Sequence, residues 1–416
     1  MNAPRVLLSA YQCGPGLGSV SQIGWEWYAR LSAKLPVTLL THVRNRPALE
    51  QAGAPLPGSE VVYIDTEWFA GPLYRLALRL FPRSEHPVFL IASLDYYLYD
   101  WTAWRSLRRR QAGQHWDIVH QATPVSPLAA THLHKLGLPL VLGPWNGGLA
   151  SPGEYPEIMR AESGWVYPVR QLGRLLDGLI GSSHKARLIL TATAATRQAV
   201  APRHREKCRG MLENGVDLEV FAATPWPDPP GAEAPLEILF AGRLLPFKGV
   251  GMLLEALARL DFPCHLTIVG GGSEEAALRG QADALNLADR VAFTGALPLP
   301  EVARRMAQAH VFCLPSVRES GGGVLLEAMA SARPVIALAY GGPTEIVDDE
   351  VGRLIPSTGR APVVAALAQA LADIFEHPER WRRRGQAGRA RVEQRYAWPA
   401  KIDAAIELYR QCLEYA

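Results

Sequence analysis

The chain lacks any run approaching the roughly 18 consecutive apolar residues of a membrane-spanning helix, and the N-terminal Arg5-Val6-Leu7-Leu8-Ser9-Ala10 is too short for a signal-peptide core. Both absences predict a chain that neither crosses a membrane nor leaves the cell by a visible signal. It also lacks an excess of one charge. With 43 basic against 40 acidic residues and a formal net charge of +3, nothing global argues for a nucleic-acid binder. The five cysteines (Cys13, Cys208, Cys264, Cys313, Cys412) are scattered, odd in number and without C-x-x-C spacing, which speaks against a disulfide framework and a zinc site and suits a reducing cytosol. No Asp-x-Asp pair and no His or Cys cluster at metal-ligand spacing occurs. A metal-bridged diphosphate is therefore disfavoured, and neither metal nor cofactor is expected. The glycines of Gly14-Pro15-Gly16-Leu17-Gly18-Ser19 miss the dinucleotide fingerprint, because Ser19 stands where its last glycine belongs and no suitably placed acid follows.

What is present is a long alternation of short apolar runs with helical patterns. In the second half, runs beginning at Ile238, Leu266, Val291, Val311 and Val335 each end in a Gly- or Pro-marked loop. In the first half, runs beginning at Val6, Val37, Val61, Ile118, Leu140 and Leu188 repeat the scheme less regularly. That order predicts α/β domains with parallel sheets wrapped by helices. At 416 residues and 48% hydrophobic content there is material for two such cores. The proline-rich stretch 224–235 reads as an exposed linker between them. The alternation breaks over residues 66–115, which are crowded with aromatics (Trp68, Phe69, Tyr74, Phe81, Phe89, Tyr96, Tyr97, Tyr99, Trp101, Trp104) and close on Arg108-Arg109-Arg110. Such a stretch suits either a helical insertion whose aromatics fill a core or an anionic membrane surface.

Chemistry concentrates at strand ends. In Glu319-Ser320-Gly321-Gly322-Gly323-Val324-Leu325-Leu326-Glu327, the glycines follow an apolar strand pattern and open a helical one. Free backbone N–H groups at a helix opening favour an anion, and glycine lets a phosphate approach. A ligand with both phosphate and hydroxyl groups can then reach both carboxylates. The loop Gly242-Arg243-Leu244-Leu245-Pro246-Phe247-Lys248-Gly249 follows another strand and offers a planar guanidinium and a compact ammonium for a diphosphate. In the first half, Gly16 and Gly18 follow the first strand, while Asn146 and Gly147 follow the strand at Leu140 and offer amide contacts to a donor or acceptor. His120 ends the strand at Ile118 and reads equally as a core residue or a catalytic one.

Together these segments resemble glycosyltransferase family 4, the retaining glycosyl transferases of group 1 with the GT-B fold. The likeness is clearest over 236–355 and includes the Gly242-Arg243 and Lys248-Gly249 loop, Gly270-Gly271-Gly272, Gly295, the glutamate segment and Gly341-Gly342-Pro343-Thr344-Glu345. The resemblance implies two Rossmann-like doubly wound domains facing across a cleft. An acceptor-side domain of 1–215, carrying the insertion 66–115, is completed by a C-terminal helix within 396–416. A nucleotide-sugar-binding domain spans 216–395. By position, Arg243 and Lys248 bind the donor diphosphate, Glu327 the ribose hydroxyls and Glu319 the transferred sugar. Gly322, Gly323 and Val324 meet phosphate or sugar, Gly16 approaches the diphosphate, and the stretch from Gly295 to Leu297 cradles the base. Two departures stand out. Many relatives carry Phe-Gly between the glutamates where this chain has only glycines, and others carry a histidine where it has Pro144, Trp145 and Asn146.

The resemblance implies a metal-independent, retaining transfer of sugar from a nucleoside diphosphate sugar to a hydroxyl acceptor. The aromatic-basic insertion makes a lipid-linked saccharide of cell-surface polysaccharide or glycolipid synthesis the preferred acceptor. The expected location is the cytoplasm, with peripheral contact to the inner face of the membrane through 66–115. A phosphorylase or hydrolase on a similar scaffold, and a nucleotide-sugar-binding protein without catalysis, stand as alternatives.

Overall fold

The computed structural model describes residues 3–80, 94–110, 115–149, 153–156 and 170–414. Phe81 and Phe89 of the aromatic stretch lie outside the described residues. The chain divides into two compact units: Met1–Gly148, Ser163–Glu213 and Ile402–Ala416 form the first, and Leu149–Glu162 with Asn214–Lys401 form the second.

In the first unit the apolar runs become β1 (Val6–Ala10), β2 (Val37–His42), β3 (Ser59–Ile64), β4 (Ile118–Thr123), β5 (Leu140–Trp145), β6 (Leu188–Thr191) and β7 (Cys208–Gly210). They form one sheet ordered β3-β2-β1-β4-β5-β6-β7 with every neighbour parallel. Strands β1, β2, β4 and β5 are buried at every position, as expected of strands covered on both faces. Helix α1 (Ser19–Ser32) turns Trp27, Tyr28 and Leu31 inward. The aromatic stretch divides between α2 (Glu67–Leu80) and α3 (Asp95–Arg110). Tyr96 and Tyr99 join the core, Tyr97 and Trp104 pack against it partly buried, and Trp68, Tyr74 and Trp101 are exposed.

The second unit contains β8 (Leu236–Ala241), β9 (Cys264–Val269), β10 (Val291–Gly295), β11 (Val311–Leu314), β12 (Val335–Leu338) and β13 (Gly352–Ile355), ordered β10-β9-β8-β11-β12-β13 and again all parallel. The winding direction reverses between β8 and β11, and open parallel sheets bind ligands outside the carboxyl ends of the two strands at such a reversal. Helices α4 (Val250–Leu257) and α5 (Gly323–Ala330) start at the ends of the loops that follow these strands.

The proline-rich stretch is packed within the second unit and is no free linker. Trp226 Nε1 donates to His310 O at 2.9 Å, and the fully buried Arg333 donates to Pro225 O at 2.8 Å and to the Thr224 hydroxyl. A buried guanidinium needs several acceptors, and these carbonyls and the hydroxyl are among those that supply them. The last helix, α6 (Trp398–Glu414), rejoins the first unit from Ile402 onward.

Candidate functional site

The two loops at the β8/β11 reversal are fastened to each other through backbone. Gly249, at φ +69°, ends the short turn Pro246–Lys248, and a Cβ there would lie 2.1 Å from Pro315 O. Val317 N–H donates to Phe247 O at 2.9 Å. The loop after β8 also lies directly against the loop after β9. Gly242 N–H donates to Val269 O and Leu244 N–H to Gly271 O, both at 2.9 Å. At Gly270, φ is +128° and a Cβ would fall 1.9 Å from Gly242 O. The glycines of these loops thus serve close backbone contact.

That scaffold brings Lys248 and Glu319 together, with Lys248 Nζ 2.6 Å from Glu319 Oε2. Both side chains are mostly enclosed, 15% and 14% exposed, so the pair is largely out of reach of solvent screening. The other carboxylate oxygen, Glu319 Oε1, accepts from Gly322 N–H at 3.4 Å. Gly322, at φ +65°, caps α5, so Glu319 lies across the helix opening that the glycine run predicts. The backbone of Glu319 is fixed in turn by Gly342 N–H, which donates to its carbonyl at 2.9 Å. Gly323 and Val324 form the first positions of α5 and are half-buried.

Glu327 lies one turn into α5. The residue is half-buried, and no described residue gives its carboxyl a hydrogen bond or an ion pair. Burial alone pushes it up to about 7. Arg243 is exposed and likewise has no ion-pair partner among the described residues. Gly295, at φ +70°, closes β10 and accepts from Gly270 N–H at 2.8 Å; Leu297 just beyond it is half-buried.

One neighbour goes unnoticed in the sequence reading. Arg318 stacks its guanidinium 5.0 Å from the centroid of the Phe247 ring, and Lys248 Nζ lies 5.6 Å from the same centroid. The signal was a third cation beside Glu319 in a strand-end loop, but its partner ring lies on the other loop.

The remaining candidates belong to the first unit. Gly16 (φ +74°) and Gly18 (φ +105°) are exposed in the loop between β1 and α1. Asn146 Nδ2 donates to the Glu213 carboxylate, and Gly147 O accepts from Thr196 Oγ1 at 2.7 Å. His120 has no exposed surface. Its Nε2 lies 2.6 Å from Gly143 O and its Nδ1 2.7 Å from the Tyr409 hydroxyl, and Trp27 packs edge-on against the ring at 4.9 Å. A carbonyl can only accept, so Nε2 carries the proton and Nδ1 accepts from Tyr409. Both nitrogens are thereby engaged in the interior, and His120 offers a substrate no free edge.

Residues 227–391, which include Arg243, Lys248, Glu319 and Glu327, match the model of the family described as glycosyl transferases group 1. The sequence is 29% identical to the D-inositol 3-phosphate glycosyltransferase of Streptomyces coelicolor over 88% of this chain and 80% of that one. It is 33% identical to the GDP-mannose-dependent alpha-(1-6)-phosphatidylinositol monomannoside mannosyltransferase of Mycolicibacterium smegmatis, over 47% of this chain and 55% of the relative. Anabaena HepE, solved in complex with UDP and glucose, has a similar fold, with a TM-score of 0.61 at 19% identity and coverage of 98% of this chain and 100% of that one. With two parallel-sheet Rossmann-like units of the GT-B type and this set of relatives, the chain is a glycosyltransferase whose residues 227–391 form a glycosyl transferases group 1 domain.

Proposed function

We propose that this glycosyltransferase moves a sugar from a nucleoside diphosphate sugar to a hydroxyl acceptor with retained configuration and without a metal ion. The observation that carries the reading is the convergence of Lys248, Glu319 and the opening of α5 at the β8/β11 reversal, with the unpartnered carboxyl of Glu327 one turn further in. Arg243, Lys248 and the α5 amides take the diphosphate. Glu327 accepts from ribose hydroxyls and Glu319 from the sugar. As the bond from the anomeric carbon to the leaving phosphate breaks, negative charge grows where these cations and amides offset it. The acceptor oxygen attacks the oxocarbenium-like carbon from the face the phosphate is leaving, and the phosphate oxygen takes the acceptor's proton.

The test is transfer from a panel of nucleotide sugars in the presence of a chelator, with product configuration read from the anomeric proton coupling. A requirement for added divalent ion refutes metal independence, and an inverted product refutes retention. Sugar released only to water or to phosphate identifies a hydrolase or a phosphorylase.

For the acceptor, a lipid-linked saccharide is supported by the name of the mycobacterial relative and by the outward face of α2. Trp68, Pro72, Leu76 and Leu80 recur every four residues on that helix and are exposed, with exposed Arg75 and Arg79 beside them. On α3 the exposed Trp101 has Arg105 over its ring at 4.7 Å, and Arg108, Arg109 and Arg110 are exposed. Apolar side chains flanked by arginines suit an anionic lipid interface. No helix among the described residues is long and apolar enough to cross a membrane. The protein should float with anionic vesicles, and Leu76→Ser with Leu80→Ser should abolish this; absence of flotation by the parent refutes the contact. A soluble polyol phosphate is the second reading, favoured by the name of the Streptomyces relative. Assays with lipid extracts and with inositol phosphates separate the two.

A further inference from the structure

We infer that Glu319 also acts as a built-in competitor for the diphosphate: its carboxylate holds Lys248 until the donor displaces it, and takes the lysine back after transfer to expel the nucleoside diphosphate. This rests on the proposed diphosphate site and adds to it a reason for product release.

One carboxylate bridges the two kinds of donor assigned to the phosphate. Its Oε2 lies 2.6 Å from the Lys248 ammonium, and its Oε1 accepts from the Gly322 amide at the opening of α5. A charge-assisted contact so well enclosed competes with an incoming anion far better than a surface pair would. The backbones beneath both residues are fixed. Lys248 N–H donates to Leu245 O at 2.9 Å, the next residue abuts Pro315 O, and Glu319 O is held by Gly342. The exchange is therefore a matter of side-chain rotation.

The consequence differs between donor and product. With the donor bound, the carboxylate that loses Lys248 gains the hydroxyls of the sugar. Once the sugar has left, nothing replaces the lysine, and Glu319 presses against a diphosphate that still holds it. Glu319 thereby weakens the product selectively while supporting the donor. A residue that served only the sugar would leave affinity for the bare nucleoside diphosphate untouched.

The experiment is calorimetric titration of the full chain with UDP, GDP, ADP and dTDP, each probe carrying diphosphate without sugar. Glu319→Gln should bind the preferred nucleotide about five- to tenfold more tightly than the parent, and the gain should collapse when Lys248→Ala is added. Unchanged or weaker binding by a Glu319→Gln protein that melts like the parent overturns the inference. So does an equal gain in the Lys248→Ala background, which would mean direct repulsion without the lysine. If Glu319→Gln does not fold, Glu319→Asp, one methylene short of the lysine, should tighten binding by a smaller factor, and no tightening there overturns the idea equally. Failure of Lys248→Ala alone to weaken the nucleotide, or no binding of any of the four, refutes the diphosphate site itself.

Discussion

At the scale of single residues, Glu327 and Arg243 are opposite cases. The Glu327 carboxyl is raised by burial from 4.5 to about 7, so between those values the folded protein holds a proton that the unfolded chain has released. Its contribution to stability is complete below about pH 4.5 and is lost as pH rises through 7. Glu327→Gln should remove that slope, melting higher relative to the parent at pH 8 than at pH 5 by an amount on the order of 2 kcal/mol. Equal differences at the two pH values would refute it. The same variant should bind donor more weakly, since a carboxylate accepts two ribose hydroxyls and an amide does so poorly. Arg243, exposed and without an ion-pair partner among the described residues, contributes little to folding. Arg243→Ala should melt like the parent yet lose roughly 10²- to 10³-fold in kcat/KM, and Lys248→Ala should lose a similar factor. Steady-state kinetics on a verified donor checks both.

At the scale of elements, loop geometry separates glycines that look alike in sequence. Gly270 and Gly18 both have positive φ, but only Gly270 has another backbone where its Cβ would go, 1.9 Å from Gly242 O; Gly18 has nothing within 4 Å. Gly270→Ala should cost roughly 3 kcal/mol or more in urea unfolding, and Gly18→Ala about 1. Comparable losses would mean that strain in φ alone matters. Most strands legible as apolar runs are buried along much of their length, although β3 and β10 were legible while only partly buried. Two escaped notice: β7 (Cys208–Gly210) carries exposed Arg209 and Gly210, and β13 (Gly352–Ile355) carries exposed Arg353. Each is a short sheet-edge strand defined by pairing with a neighbour, and local composition does not encode pairing. The aromatic stretch was ambiguous for the same reason. A helix rich in Trp, Tyr and Leu reads alike whether those residues face a core or solvent, and only packing sends Tyr99 inward and Trp68 outward.

At the scale of the whole molecule, the tail of the chain completes the first unit. The Tyr409 hydroxyl donates to His120 Nδ1 in the interior, 289 residues away in sequence. Tyr409→Phe leaves that nitrogen buried without its donor and should cost about 1–3 kcal/mol of stability, with turnover per folded molecule preserved. A loss of turnover at unchanged stability would give the Tyr409–His120 contact a part in the reaction. The sequence by itself determined two parallel-sheet α/β units and the loops carrying Arg243, Lys248, Glu319 and Glu327, because hydrophobic period and loop glycines are local properties. Tertiary structure alone decided that Lys248 meets Glu319 across 71 residues. It also decided that His120 is sealed in and that Glu327 lies half-buried without a side-chain partner among the described residues. Those outcomes depend on which strands become neighbours, and strand order is set by packing over the whole sheet.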